Sequence, residues 1–232
     1  MKKFIFVILF ISSAAWGNDS LKIGCLEGAI GADIFFEILT EACNLSKINC
    51  ERIRWPSERT LKMAELSEID GDGPRNPNVE KYYSKLVRVD FNFFDVEFVG
   101  FGRNPKIKLN SWSDLEKFSF AYPRGWKIFD KKTPKQGRIV RESPAQLLAM
   151  VEKNRIDLIL LTKWDGLELV KHSPEINLLP GVLEKMPQYL YLSPNKAYLA
   201  PKLIESLKQM RKQGKIKKII NAILEERLKT AA

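Results

Sequence analysis

Histidine is nearly absent: His172 is the one imidazole in 232 residues. A Ser-His-Asp hydrolase would have a single possible base, and a zinc site built on two or more imidazoles cannot be assembled within one chain. Long apolar runs are also missing. The N-terminal run from Phe4 to Trp16 falls short of the ~20 residues a helix needs to span a bilayer. No P-loop, no G-x-G-x-x-G after a strand, no G-x-S-x-G and no paired metal-ligand spacing occurs. The Gly71-Asp72-Gly73 turn lacks the third glycine and the Lys-Ser/Thr of a nucleotide loop. Neither a metal nor a cofactor is expected.

What is present is ordinary globular composition, 45% hydrophobic and 28% charged, with a formal net charge of +10. Met1-Lys2-Lys3 reads as a positive n-region, Phe4 to Ile11 as an apolar h-region, and Ala15-Trp16-Gly17 as a signal-peptidase site. Residues 1–17 are therefore expected to be a signal peptide cleaved before Asn18, leaving a soluble periplasmic chain. Lys22, three places before Cys25, argues against lipid attachment there. Export argues against nucleic acid as the partner of the basic excess. Much of that excess lies at Lys208, Arg211, Lys212, Lys215, Lys217 and Lys218, either a solvated helix face or a docking face for a membrane partner.

An oxidising compartment changes the reading of three cysteines. Cys43 and Cys50 flank the point where a helical pattern gives way to a strand pattern. A disulfide there staples helix to strand, worth about 2–3 kcal/mol in the chain-entropy model. Cys25 is left over, a buried structural thiol or a reactive one.

Strands alternate with helices along the chain. Leu21 to Cys25 reads as a strand, and Ala29 to Ala42 as a helix with Ile30, Ile34, Phe35, Ile38 and Leu39 on one face. Cys50 to Trp55 is the next strand, Arg59 to Leu66 a helix, and Glu68 to Gly71 a short strand ending in a glycine-rich turn. Extended segments follow at Leu86 to Asp90 and Asp95 to Gly102. A second series runs through Phe118 to Tyr122, Ile139 to Arg141, helix Pro144 to Glu152 and strand Ile156 to Leu161. Tyr189 to Leu192 is extended again, before helices over Pro201 to Gln213 and Lys215 to Lys229. In such sheets ligands bind at the carboxyl ends of the strands.

This order resembles the type II periplasmic binding proteins, and within them the family 3 extracellular solute-binding proteins of amino-acid ABC transporters. The carrying residues are Leu21-Lys22-Ile23-Gly24, the Cys43 and Cys50 pair, Ile69-Asp70-Gly71, Trp112-Ser113-Asp114-Leu115, Asn154-Arg155-Ile156-Asp157, and Leu207 to Lys215 with Gly214. The resemblance implies two α/β lobes joined by two crossover segments with a ligand cleft between. Lobe 1 would be residues 18–103 plus 193–232, and lobe 2 residues 104–192. It further implies a monomer that binds a small molecule and works with a membrane permease or receptor.

The family's site residues transfer only in part. Where relatives clamp the ligand carboxylate with an arginine, counting from Asp70 arrives at Tyr82. Where relatives hold the α-ammonium with an acid, Thr162 stands. Leu26-Glu27-Gly28-Ala29 also shortens a segment that normally carries an aromatic over the ligand. The expected site is therefore Arg75 and Asp72 on the lobe 1 turn, Arg59 beside Trp55, and Arg124, Gly125 and Trp126 on the lobe 2 turn, with Thr162. Three converging arginines imply an anionic solute. Trp164 and Asp165 could line the cleft, although a Trp at a helix start more often packs. Two other readings stand beside the transport protein. One is a sensor with altered or lost binding. The other is a cyclohexadienyl-dehydratase-like enzyme drawing a carboxylate from Glu27, Glu58 or Asp72.

Overall fold

The computed structural model describes residues 19–26 and 28–229. The expected signal peptide and Glu27 lie outside the described residues. The chain opens with β1 (Ser20–Gly24), α1 (Ile30–Leu45), β2 (Asn49–Ile53), α2 (Ser57–Glu65), β3 (Gly71–Arg75) and β4 (Val87–Val89). It continues with β5 (Asp95–Gly102), β6 (Phe120–Pro123), α3 (Lys127–Lys132), β7 (Arg138–Arg141), α4 (Pro144–Glu152), β8 (Leu158–Thr162), α5 (Lys163–Val170), β9 (Asn177–Leu178) and β10 (Glu184–Pro187). It ends with β11 (Tyr189–Leu192), α6 (Ala200–Lys212) and α7 (Lys215–Leu228).

These elements make two sheets, in the orders β2-β1-β3-β11-β4 and β10-β5-β8-β6-β7, with β9 beside β5. The βα units give parallel pairs, β1 with β2 and β3, and β6 with β7 and β8, as crossover connections require. Strands that return from the other sheet pair antiparallel: β11 with β3 and β4, and β5 with β8 and β10. Two strands therefore fall in different lobes from those expected. β5 belongs to the second sheet although residues up to 103 were expected in lobe 1, and β11 belongs to the first although residues up to 192 were expected in lobe 2. Both are apolar strands next to a crossing, and hydropathy alone does not say on which side of a crossing a strand pairs.

The helical period of α1 is met in full. Ile30, Ile34, Phe35, Ile38 and Leu39 are all buried against the first sheet, at about 1.5–3 kcal/mol of transfer free energy per large side chain. Cys43 and Cys50 form the disulfide, joining α1 to β2 across a Cα–Cα distance of 6.2 Å. Helices α6 and α7 pack on the same core through Leu203, Leu207, Met210 and Ile216. The second sheet carries a core on each face, one around Phe129 and Phe120, the other around Phe101 and Val151.

One local expectation is overturned. The glycine-rich stretch after Ile69 is not a turn: Gly71–Arg75 is itself β3. Its glycines serve close packing, since a Cβ on Gly71 would lie 2.6 Å from the Tyr191 carbonyl oxygen and one on Gly73 2.3 Å from the Phe35 ring. The register shifts between Tyr189 and Tyr191 on the partner strand. Pro74, which has no N–H to donate, is tolerated there because the irregular register asks no ladder bond of it.

Cys25 is free and fully buried at the end of β1. Its Sγ–H donates to the Ala32 carbonyl at 3.4 Å, and burial pushes the thiol up to about 11. Since the thiolate is the nucleophile, iodoacetamide at pH 8 is expected to leave Cys25 unmodified in the native chain and to label it fully in denaturant. Mass spectrometry of the alkylated protein checks this.

Candidate functional site

The lobes are joined by two strands of chain lying side by side. One is residues 90–94 between β4 and β5, the other Gln188 between β10 and β11. The Phe93 N–H donates to the Gln188 carbonyl at 2.9 Å, and the Gln188 N–H donates to the Phe94 carbonyl at 3.0 Å. Gln188 is buried, and its side chain donates to the Met186 carbonyl. This pair of hydrogen-bonded crossovers is a natural hinge axis.

Beside the hinge lies a cavity of about 430 Å³ lined from both lobes, within the range of small-molecule sites. Lobe 1 supplies Ala29, Gly31 and Ala32 at the start of α1, and Gly73, Pro74 and Arg75 of β3. The hinge supplies Phe94. Lobe 2 supplies Asp95, Val96 and Glu97 of β5, Trp126, and the run Thr162 to Asp165 that opens α5. Three aromatic rings make much of the wall. Trp126 stacks on Phe129 at 5.6 Å with the rings 5° apart, and Trp164 meets Phe94 at 5.1 Å. Each ring is pinned by its partner.

The polar groups divide by lobe. On the lobe 1 side Arg75 pairs with Asp72 and donates to the Thr60 hydroxyl at 3.2 Å. Asp72 is wholly buried below the cavity wall. Burial pushes its carboxyl above the ordinary range, against the pull of Arg75 and Thr60. The first turn of α1 adds positive potential; its Ala29 cap offers no side-chain hydrogen bond, and its Ile30 N–H reaches the Asp165 carboxylate instead. On the lobe 2 side stand three acids, Asp95, Glu97 and Asp165, with Lys163 a cation among them. Glu97 is held below the usual carboxylate range by hydrogen bonds from Lys185 and Lys163, at 2.6 and 2.9 Å. Asp165 is pushed upward by burial, partly offset by the Thr162 hydroxyl and the Ile30 backbone N–H of the opposite lobe. Thr162 is the cap of α5. Its hydroxyl donates to the Asp165 carboxylate at 2.6 Å and accepts from the Asp165 N–H at 3.3 Å.

Of the residues expected from sequence, Arg75, Trp126 and Thr162 line the cavity, and Asp72 supports it from below. Gly125 forms the turn before Trp126 with φ +85°. Arg124 is exposed and paired with Glu142, off the cavity wall. Arg59 lies over the Trp55 ring at 4.5 Å, with neither on the wall. Glu58 is exposed and paired with Lys127. Tyr82, counted to the family's arginine position, is 69% exposed at the end of the Pro77–Lys81 turn. The three arginines do not converge. Trp164 and Asp165, both weighed as possible cleft residues, are on the wall, and the sequence pointed to neither Phe94 nor Glu97. The signal for Asp165 was Thr162-x-x-Asp165 after an apolar strand, a helix start that sends both side chains to the strand's carboxyl end.

No family model matches the sequence. An uncharacterised protein of Shewanella oneidensis is 25% identical over 169 residues, 68% of this chain and 64% of that protein, so the match leaves over a third of the relative's length uncovered. An amino-acid ABC transporter substrate-binding protein from Streptococcus pneumoniae, solved with L-arginine bound, superposes with a TM-score of 0.69. The match covers 91% of this chain and 97% of that one at 8% identity. This is the two-lobed periplasmic-binding-protein fold. A histidine-kinase sensor domain described as similar to periplasmic binding proteins shares it, with a TM-score of 0.63, 13% identity and coverage of 88% and 96%. Among the described residues no helix is long and apolar enough to cross a membrane.

Proposed function

We propose that the chain is a divergent family 3 solute-binding protein, a periplasmic monomer that closes on a small zwitterionic solute and hands it to an ABC-transporter permease. The observation that carries the reading is the polarity of the cleft. The lobe 1 wall offers Arg75 and the start of α1, the lobe 2 wall offers Asp95 and Asp165, and aromatic rings lie between. An acidic group of the solute would face Arg75, a positively charged nitrogen would face Asp165, and its body would lie against Trp126 and Trp164. The anionic solute expected from three arginines is thereby narrowed to an acidic group at one of them. A sensor is the second reading, favoured by the kinase sensor domain of the same fold.

The test is a thermal-shift panel on residues 18–232 with amino acids, dicarboxylates, aromatic acids and simple amines. A bound solute at 100 times its Kd adds about 2.7 kcal/mol, a rise of about 5–10 °C for a chain of this size. Amino acids or related zwitterions are expected to give that rise, and Asp165→Asn to lose most of it. Equal stabilisation by carboxylates lacking nitrogen, or no stabilisation by any compound, would overturn the reading.

A further inference from the structure

Away from the hinge the lobes meet at a second seam, made by α1, α5 and α7. Arg227, near the end of α7, forms a two-pronged ion pair with Glu168 of α5, its Nε and one terminal nitrogen at 2.6 and 2.9 Å from the two carboxylate oxygens. Its other terminal nitrogen reaches Asp33 of α1 at 2.8 Å. The guanidinium also donates to the Gly28 carbonyl at 3.2 Å, and Lys171, just past the end of α5, donates to the Arg227 carbonyl at 3.3 Å. Asp33 is held from its own lobe by Arg52 at 2.7 Å. Arg227, Asp33 and Glu168 are each about 30% exposed, so this pair is neither free in water nor fully desolvated. The fork geometry of arginine is what allows one side chain to hold two carboxylates on two lobes.

We infer that Arg227 is a positioning residue that holds the two lobes in the closed arrangement without itself lining the cleft. The seam and the cleft share their helices. Helix α5 begins with Thr162 as its cap and Asp165 in its first turn, and Glu168 is one turn further along the same face. Helix α1 begins at Ile30 beside the cavity, and Asp33 is one turn on. Between these two helix starts the facing side chains are acidic, Asp33 from one lobe and Asp165 and Glu168 from the other. Arg227 turns that opposition into attraction. Without it Glu168 loses its partner across the seam and Asp33 keeps only Arg52 of its own lobe, and the lobes part where a solute would need them together. Closure of this kind enters ligand affinity through the fraction of molecules already closed.

The experiment reads lobe separation directly and needs no ligand, so it stands or falls apart from the choice of solute. Spin labels at Leu66→Cys of lobe 1 and Lys135→Cys of lobe 2, both exposed positions, report the interlobe distance by double electron–electron resonance; buried Cys25 stays unlabelled. Arg227→Glu is expected to shift the distribution to a longer mean distance, and Arg227→Lys and Glu168→Gln to shift it in the same direction by less, since neither keeps the two-pronged pair. An unchanged distribution in Arg227→Glu, whatever its Tm, would overturn the inference. Should Arg227→Glu fail to fold, an unchanged distribution in Glu168→Gln would do the same.

Discussion

Replacing Arg75 by methionine is expected to destabilise the chain by about 3–5 kcal/mol, the usual consequence of leaving a buried charge without its partner. Asp72 has no exposed side-chain surface and is paired with Arg75 across one strand, β3. Methionine keeps most of the side-chain volume, so the change is chiefly electrostatic. The fall in Tm should be on the order of 10 °C. Removing both charges together, Arg75→Met with Asp72→Asn, should recover more than half of it, because the desolvated carboxylate is gone. The pH dependence has a definite sign. Burial already raises the Asp72 carboxyl, and loss of the guanidinium raises it further. A group with a folded-state pKa above its unfolded value costs stability as pH rises through that window, since the unfolded chain ionises first. The deficit of Arg75→Met should therefore be smallest in acid and grow toward neutrality, as measured by urea unfolding across pH. A deficit independent of pH would mean that packing, not the buried charge, governs this strand.

Gly73→Ala is expected to cost about 3 kcal/mol, the upper part of the range for overpacking, through one added methyl. Its Cβ would lie 2.3 Å from the Phe35 ring. That ring is fully buried and rests against Phe93 at 4.7 Å, so it has no open space to swing into. The residues on either side limit how far the backbone can give way, because Asp72 is paired with Gly24 of β1 and Tyr191 of β11, and Arg75 with Tyr189. Phe35→Leu should therefore change sign with background: destabilising in the parent chain and stabilising in Gly73→Ala, since contacting sites are not additive. Denaturant midpoints of the four chains decide it.

The contrast between these two residues shows what sequence could and could not say. The helical period of α1 and the alternation of strands and helices were plain, because burial on one face imposes a spacing that survives in a single sequence. The Cys43 and Cys50 pair was equally plain, since the two residues bracket a change of period. The segment Gly71-Asp72-Gly73-Pro74-Arg75 was legible as important and misread as a turn. Glycine marks both a tight turn and a close approach of neighbours, and only the presence of Phe35 and Tyr191 beside it distinguishes them. Arg59, Arg75 and Arg124 look alike in the sequence, each near the end of a strand, yet Arg75 closes β3 on the cavity wall, Arg59 lies on the Trp55 ring and Arg124 beside Glu142. Which side of a sheet a side chain takes after the strand ends is decided by partners far away in sequence. Gln188 of the hinge and Arg227 of the seam carry no local pattern at all, since each is defined by contacts to other segments.

The most direct measurement is a titration of tryptophan emission with the solute that most stabilises residues 18–232. Trp126 and Trp164 line the cavity, whereas Trp55 and Trp112 do not. A saturable change in emission is expected, with a Kd matching the thermal shift, and it should vanish in Trp126→Phe/Trp164→Phe. A solute that stabilises the chain yet leaves the emission of those two residues unchanged would bind elsewhere, and the cleft would not be its site.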